Sequence, residues 1–401
     1  MPDLADLLEL TLDELRARAR KLEVPEGPFP WRDGLVAALA NILIEPGHAA
    51  GVLEIHAEGF GFLRSPHADL MPALGDIYVS QSQIKRFELR TGSTVIGRAR
   101  PPKEGERYPA MLRVERVDGV PAEVPVEPFE KLVAEHPSVR LPIAQDPWLA
   151  AVDWLAPLGL GARGVISGPS RAERGDLLRR LARRLAADPR LTTTVLLVGE
   201  RPEDVTEWRA TVPTEVIATP MDAEANRHVH VAEVAFERAR RMAERGAEVV
   251  ILIDSLDRLV RFAVEAASAE ASPPPLVAAL QRTRRWLASA RDLRGAGSIT
   301  LITTAAPPED DAIHAAVLRD AADLCSWWLT LRDAGSVPSD YPSLDVRRSW
   351  TRREDLLVGA DELDRRRRWR AALPLDGSGD EEGLAAVFRP TPVGDPARGM
   401  P

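Results

Sequence analysis

The chain has 401 residues, 45% of them apolar, which is enough for two or three domains with buried cores. Its longest unbroken run of Val, Leu and Ile is the five residues 249–253, against the roughly 20 that a spanning helix needs, so neither membrane insertion nor a secretory leader is expected. A single cysteine, Cys325, excludes an internal disulfide framework and fits a reducing cytoplasm; the net charge of −9 excludes a uniformly basic nucleic-acid coat but leaves room for a local basic patch. Of the 52 lysines and arginines only Lys21, Lys85, Lys103 and Lys131 are lysines, so nothing beyond residue 131 offers an ammonium group.

Leu4, Leu7, Leu8, Leu12 and Leu15 recur at helical spacing, and Thr11 ahead of Asp13-Glu14 is a capping signal. Prolines 25, 28 and 30 break the pattern before it resumes over 35–44, so residues 1–47 read as a small helical module. The period then changes to two. Val52-Leu53-Glu54-Ile55, Phe60-Gly61-Phe62-Leu63, Asp76-Ile77-Tyr78-Val79 and Ala110-Met111-Leu112-Arg113-Val114 predict about five short strands and a small β-barrel over 48–118. Prolines 121, 125, 128, 137, 142 and 147 mark an interdomain linker over 119–147. From 148 to 371, apolar strand-like runs (164–166, 194–198, 249–253, 298–303) alternate with helical ones (177–185, 229–242), predicting an α/β domain with a largely parallel sheet. The Asp-, Gly- and Pro-rich residues 372–401 read as a disordered tail.

Two features carry chemistry. Residues 82–116 hold nine cations against four acids on an otherwise acidic protein, and the barrel carries Phe60, Phe62, Tyr78 and Tyr108. Single-strand binders pair cations that track phosphates with aromatic faces that stack bases, although alternating aromatics also suit a barrel core, and composition leaves both readings open. Phe60 and Phe62 share a face, with Gly59 and Gly61 on the other, a spacing that would let a ligand backbone approach. In the second half, Asp254 closes the run 249–253 and Glu200 follows 194–198. Acids at the carboxyl ends of parallel strands face the crevice where phosphates and Mg²⁺ sit, while Asp254-Ser255 equally suits a helix cap.

Gly59-Phe60-Gly61-Phe62-Leu63-Arg64, Asp76-Ile77-Tyr78-Val79-Ser80, Gln83-Ile84-Lys85-Arg86-Phe87 and Arg100-Pro101-Pro102-Lys103-Glu104-Gly105-Glu106-Arg107-Tyr108 resemble the RNA-binding domain of the transcription termination factor Rho family. The similarity continues through Leu197-Val198-Gly199-Glu200-Arg201-Pro202-Glu203, Arg227-His228-Val229-His230-Val231-Ala232-Glu233, Ile251-Leu252-Ile253-Asp254-Ser255 and Thr351-Arg352-Arg353-Glu354-Asp355, covering roughly residues 5–370. The resemblance implies a helical module, then an oligonucleotide-binding, cold-shock-like barrel for pyrimidine-rich single-stranded RNA, then a RecA-like P-loop ATPase domain working as a hexameric motor on ATP and Mg²⁺. It implies RNA contacts at Gly59, Phe60, Gly61, Phe62, Leu63, Arg64, Asp76, Ile77, Tyr78, Lys103, Glu106, Arg107 and Tyr108. For the nucleotide it implies a water-activating Glu200, a Mg²⁺-linked Asp254 and an arginine finger at Arg352 that serves the neighbouring subunit. Further nucleotide contacts are implied at Gly159, Gly161, Arg163, Gly164, Arg171, Ala172, Glu173, Arg174, Gly175, Asp176, Arg201 and Tyr341. Implied partners are further copies in a homo-hexamer, or another Rho in a mixed ring, together with RNA polymerase and its elongation factors.

The P-loop departs from the pattern. A working G-x-x-x-x-G-K-[ST] uses glycine for close backbone approach, lysine on the β- and γ-phosphates and a hydroxyl on Mg²⁺. Here the last three positions are Glu173, Arg174 and Gly175. A general preference for arginine accounts for Arg174 alone. Residues 267–275 lack the Gly-Lys loop of the family's pore, residues 305–311 are acidic where a second RNA loop carries lysine, and Ser339 lies near the position of another active-site arginine. Three readings follow: an RNA-dependent ATPase that terminates transcription; an RNA-binding paralogue with impaired hydrolysis, alone or modulating an authentic Rho ring; and a decaying gene. The second is expected.

Overall fold

The computed structural model describes residues 4–24, 32–44, 46–267, 272–308, 311–332 and 343–373. The tail expected from 372 onward therefore lies, beyond 373, outside the described residues. Helices α1 (Leu4–Glu9), α2 (Leu12–Lys21) and α3 (Arg32–Leu43) form the first module. Thr11 and Glu14 cap α2 reciprocally, each side chain accepting from the other's backbone N–H, and Leu7, Leu15, Leu35 and Leu39 meet in the module's core.

The barrel follows as β1 (His48–Ile55), β2 (Gly61–Arg64), β3 (Ile77–Val79), α4 (Gln81–Arg86), β4 (Thr94–Arg100), β5 (Ala110–Val117) and the short β6 (Val120–Pro121). Strand order is β3-β2-β1-β4-β5-β6, and β3 pairs back onto β5 at Tyr78 and Ala110, closing five strands. Leu53, Leu63, Val79, Val95, Met111, Val114 and Val117 fill the interior. The expected linker is pinned rather than free: β6 extends the barrel sheet, Phe129 is buried, and β7 (Ala134–Glu135) pairs with a strand of the second sheet.

The second half comprises α5 (Pro147–Leu155), β8 (Arg163–Ser167), α6 (Arg171–Ala186), β9 (Leu191–Glu200), α7 (Pro202–Thr211), β10 (Glu215–Pro220), α8 (Ala225–Glu244), β11 (Glu248–Asp254), α9 (Leu256–Glu265), α10 (Pro275–Ser289), β12 (Arg291–Leu293), β13 (Ser298–Ala305), α11 (Ala312–Leu324), β14 (Trp327–Thr330), β15 (Trp350–Thr351) and α12 (Ala360–Ala372). Strands β10-β9-β11-β13-β8-β14 run parallel and β15 closes the edge antiparallel. Alternate residues of each strand enter opposite cores: Leu196 and Val198 pack under α8 to α11, Val195 and Leu197 under α5 to α7. Among the described residues no helix is long and apolar enough to cross a membrane.

The barrel sits directly on α8. Val52 and Leu70 join the core beneath that helix, and a β-carbon at Gly92 would collide with the backbone of Glu237 and Arg238. Arg90 grips Glu244 with two bonds of 2.9 and 2.5 Å, and Phe129 N–H adds a third at 2.8 Å. Asp69 accepts from Arg209 at 2.6 Å and from the Ala218 N–H at 2.8 Å. Glu54 on β1 lies 3.1 Å from His230 on α8 and 2.6 Å from Arg64. Burial would raise the Glu54 carboxyl, but hydrogen bonds and charge from His230 and Arg64 outweigh it and hold it at about 2.

Two outcomes follow. Removing a buried partner leaves the other charge unpaired. Glu244→Ala strands the buried Arg241, 3.3 Å away, as well as Arg90, and should destabilise the chain by roughly 3–5 kcal/mol in denaturant melts, whereas Arg90→Ala leaves Glu244 still paired with Arg241 and costs less; equal, small losses would contradict the barrel seat. The Glu54 contact stabilises above the carboxyl's ordinary 4.5 and is lost as pH falls toward about 2. The gap in urea midpoint between wild type and Glu54→Gln should accordingly close below pH 4.5 and not widen.

Candidate functional site

The four aromatic rings are absent from the barrel interior. Phe62 on β2 stands opposite Tyr78 on β3, on the outer face, and is the centre of a ring cluster: Tyr108 lies at 4.9 Å, Phe60 at 5.8 Å and Tyr78 at 6.0 Å between centroids. Tyr78 is exposed and the others are half-buried. The core reading of these aromatics is thereby excluded. The same period of two sends Gly61 and Leu63 inward, so Leu63 is barrel core and leaves the face. A β-carbon at Gly61 would lie 2.6 Å from the Glu54 carbonyl oxygen and 2.8 Å from a Leu53 methyl. Gly61 thus admits a neighbouring strand. Gly59, at φ +88°, turns the chain against Gln81. The expectation that these glycines open a path for a ligand is corrected: both spaces are filled by the barrel itself.

Arg64 and Asp76 are also buried. Arg64 donates to Glu54 at 2.6 Å and to Asp76, whose Oδ2 also accepts from the Ala73 N–H at 2.7 Å. The guanidinium lies 5.1 Å from the Phe62 ring centroid, so an ion-paired floor underlies the aromatic face. Ile77 is half-buried against the barrel core. In the loop between β4 and β5, Glu106 accepts from Arg100 at 2.5 and 2.8 Å and from the Lys103 N–H at 3.0 Å. Its carboxylate staples the loop, while Lys103 and Arg107 remain exposed, with Arg107 5.4 Å from the Tyr108 ring centroid.

In the second domain the parallel strands β8, β9 and β11 have their carboxyl ends on the same side of the sheet, bringing Gly168, Glu200 and Asp254 to one cleft. Helix α6 starts at Arg171, with the Ser170 hydroxyl accepting from the Glu173 N–H at 3.2 Å. Arg174 is buried and folds back to donate to the Gly168 carbonyl of its own loop. Glu173 Oε1 accepts from the Ser343 N–H at 3.1 Å. A β-carbon at Gly175 would lie 3.8 Å from Asp254 Oδ2, so position 175 does face the carboxylate expected to hold the metal, without a hydroxyl. Ala172 is exposed, and Asp176 lies 3.8 Å from Arg180 along the helix.

Glu200 and Asp254 are buried and share Arg258, at 2.8 and 3.1 Å; Arg171 also reaches Glu200, and Thr304 donates to Asp254 at 2.8 Å. Burial raises the Glu200 carboxyl, but Arg258 and Arg171 together hold it below the ordinary carboxylate range. Sequence reasoning missed Arg258, although Asp254-Ser255 beginning a helix places a residue four positions on beside the carboxylate. Arg201 caps α7, exposed, with its backbone N–H 3.2 Å from Glu200. Arg352 is exposed and forms no ion pair among the described residues; its backbone N–H donates to Ser326 at 2.8 Å. Tyr341 lies outside the described residues.

Gly159, Gly161, Arg163 and Gly164 do not join this cleft. They precede or begin β8, at the end opposite Gly168, and have packing roles there: a β-carbon would meet Leu357 at Gly159, the Arg291–Asp292 backbone at Gly161 and Trp327 at Gly164. Arg163 donates its backbone N–H to Ser326 at 3.0 Å. Within one chain these four residues lie away from Glu200 and Asp254.

Residues 49–123 match the Rho termination factor RNA-binding domain, and residues 149–351 match the nucleotide-binding domain of the ATP synthase alpha/beta family. The chain is 38% identical over 358 residues to transcription termination factor Rho of Pseudomonas fluorescens biotype C, covering 86% of this chain and 85% of that protein. It is 34% identical over 410 residues to transcription termination factor Rho of Allochromatium vinosum, covering 98% of each. Among solved structures, the assembled ATPase EscN of the enteropathogenic E. coli type III secretion system resembles it in fold, with a TM-score of 0.53 at 20% identity over 74% of this chain and 70% of that one. With two curated relatives above a third identical along most of its length, the chain belongs to the transcription termination factor Rho family.

Proposed function

We propose that this protein acts in transcription termination or its regulation by holding single-stranded RNA on the barrel, without turning over ATP. The observation that carries the second half is the cradle at 173–175. Arg174 turns its guanidinium onto the Gly168 carbonyl of its own loop, Glu173 adds a carboxylate to the first turn of α6, and Gly175 brings no hydroxyl to Asp254. Asp254 already receives Thr304 and Arg258. These residues do not fit a magnesium nucleotide, which in a working cradle supplies the phosphoryl group and its charge-neutralising cation. Glu200, held below the ordinary range by two arginines, is moreover a weak base for drawing a proton from water.

RNA binding needs none of this. Unpaired bases stack on Phe62, Tyr78 and Tyr108 at roughly 1–3 kcal/mol each, while Lys103 and Arg107 neutralise phosphates beside them. The solvent-exposed Arg352 is free of ion pairs among the described residues, which suits a subunit that offers its finger to a neighbour, in a ring of its own copies or mixed with another Rho. The preserved Glu200 and Asp254 favour the rival reading, an active ATPase.

Phe62→Ala with Tyr78→Ala should weaken oligo-pyrimidine RNA binding by roughly 30-fold or more in fluorescence anisotropy, and the loss should persist as salt is raised. Unchanged affinity would remove the barrel from the account. For the cradle, the combined Glu173→Gly, Arg174→Lys and Gly175→Thr should create nucleotide protection against thermal unfolding that the wild type lacks; equal protection of both would contradict the reading.

A further inference from the structure

The ring cluster has a fifth member outside the expected contacts. His56, one residue past β1, lies 5.2 Å from Phe60 with the rings within 12° of parallel, and 5.5 Å from Phe62 at 80°. It makes no ring contact with Tyr108, so Phe62 stands between the two. The His56 backbone is fixed by the turn into β2. His56 N–H donates to the Phe60 carbonyl at 2.8 Å, and its own carbonyl accepts from Gly59 N–H at 2.9 Å. Nε2 lies 3.4 Å from Arg64 Nη2 and 3.7 Å from Glu54 Oε1. Phe60 covers one face of the imidazole, and Phe62, Arg64 and Glu54 cover its rim. Beside these contacts 34% of the side chain stays open to solvent. The barrel core does not include it.

We propose that His56 is a base-stacking residue, the ring at the far side of Phe62 from Tyr108, whose open face takes an unpaired base of single-stranded RNA. This rests on the RNA-binding reading above and extends it. A strand crossing from Tyr108 over Phe62 then ends on His56, beside Glu54 and the His230 end of the α8 contact. The imidazole offers a flat, pre-placed surface that needs no reordering, which is what makes aromatic stacking favourable here.

The test uses the full chain and a short oligocytidine, together with a series in which each nucleotide in turn is abasic. His56→Ala should weaken binding about tenfold, equivalent to about 1.4 kcal/mol, whereas His56→Phe should stay within about twofold of wild type. One abasic position should cost the wild type about tenfold and cost His56→Ala at most about twofold, because the stacked base and its partner ring are lost together. Wild-type affinity in His56→Ala, or abasic penalties the same in both proteins at every position, overturns the proposal. Phe62→Ala in the same assay separates the two claims: if it too binds like wild type, the RNA-binding reading fails, and if only His56→Ala does, this inference fails alone.

Discussion

A carboxylate taken out of water must be paired, and in this chain arginine does most of that pairing. Glu244 with Arg90 seats the barrel on α8, Glu54 and Asp76 with Arg64 build the floor under the aromatic face, and Glu200 and Asp254 share Arg258 at the carboxyl ends of β9 and β11. Each is a low-dielectric site where losing one partner is costly, so the three pairings fix the barrel, the RNA face and the cleft as one frame.

The same chemistry sets the limit of the cleft. A guanidinium is a planar fork that binds fixed oxygens well, and a lysine ammonium is a compact charge on a flexible stem. At position 174 the buried fork donates to the Gly168 carbonyl of its own loop. The composition bias toward arginine thus becomes a structural statement only at that residue. The acidic net charge is equally local in its meaning: Lys103 and Arg107 project beside the rings, whatever the sign of the rest of the surface.

Much of the architecture was legible because period is a local property. Thr11 with Glu14, the alternation through Phe62 and Leu63, and the apolar run ending in Asp254 each state their element directly. The barrel strand β4, between β1 and β5, and the parallel strands β10 and β14 were missed, since their residues are held by neighbouring strands and not by a pattern of their own. Contacts between distant segments were invisible. Nothing in Gly92 announces the backbone of Glu237, nothing in Glu54 announces His230, and nothing in Gly161 or Gly164 announces Asp292 or Trp327. The aromatic residues showed the reverse: alternation could not say which face was inward, and only barrel closure did.

Phosphate release by the purified wild-type chain with saturating RNA decides whether RNA binding is uncoupled from hydrolysis here. Release should run at the rate of ATP and RNA without protein, in the same preparation that binds oligo-pyrimidine RNA. RNA-stimulated turnover that disappears in Glu200→Ala would contradict that uncoupling.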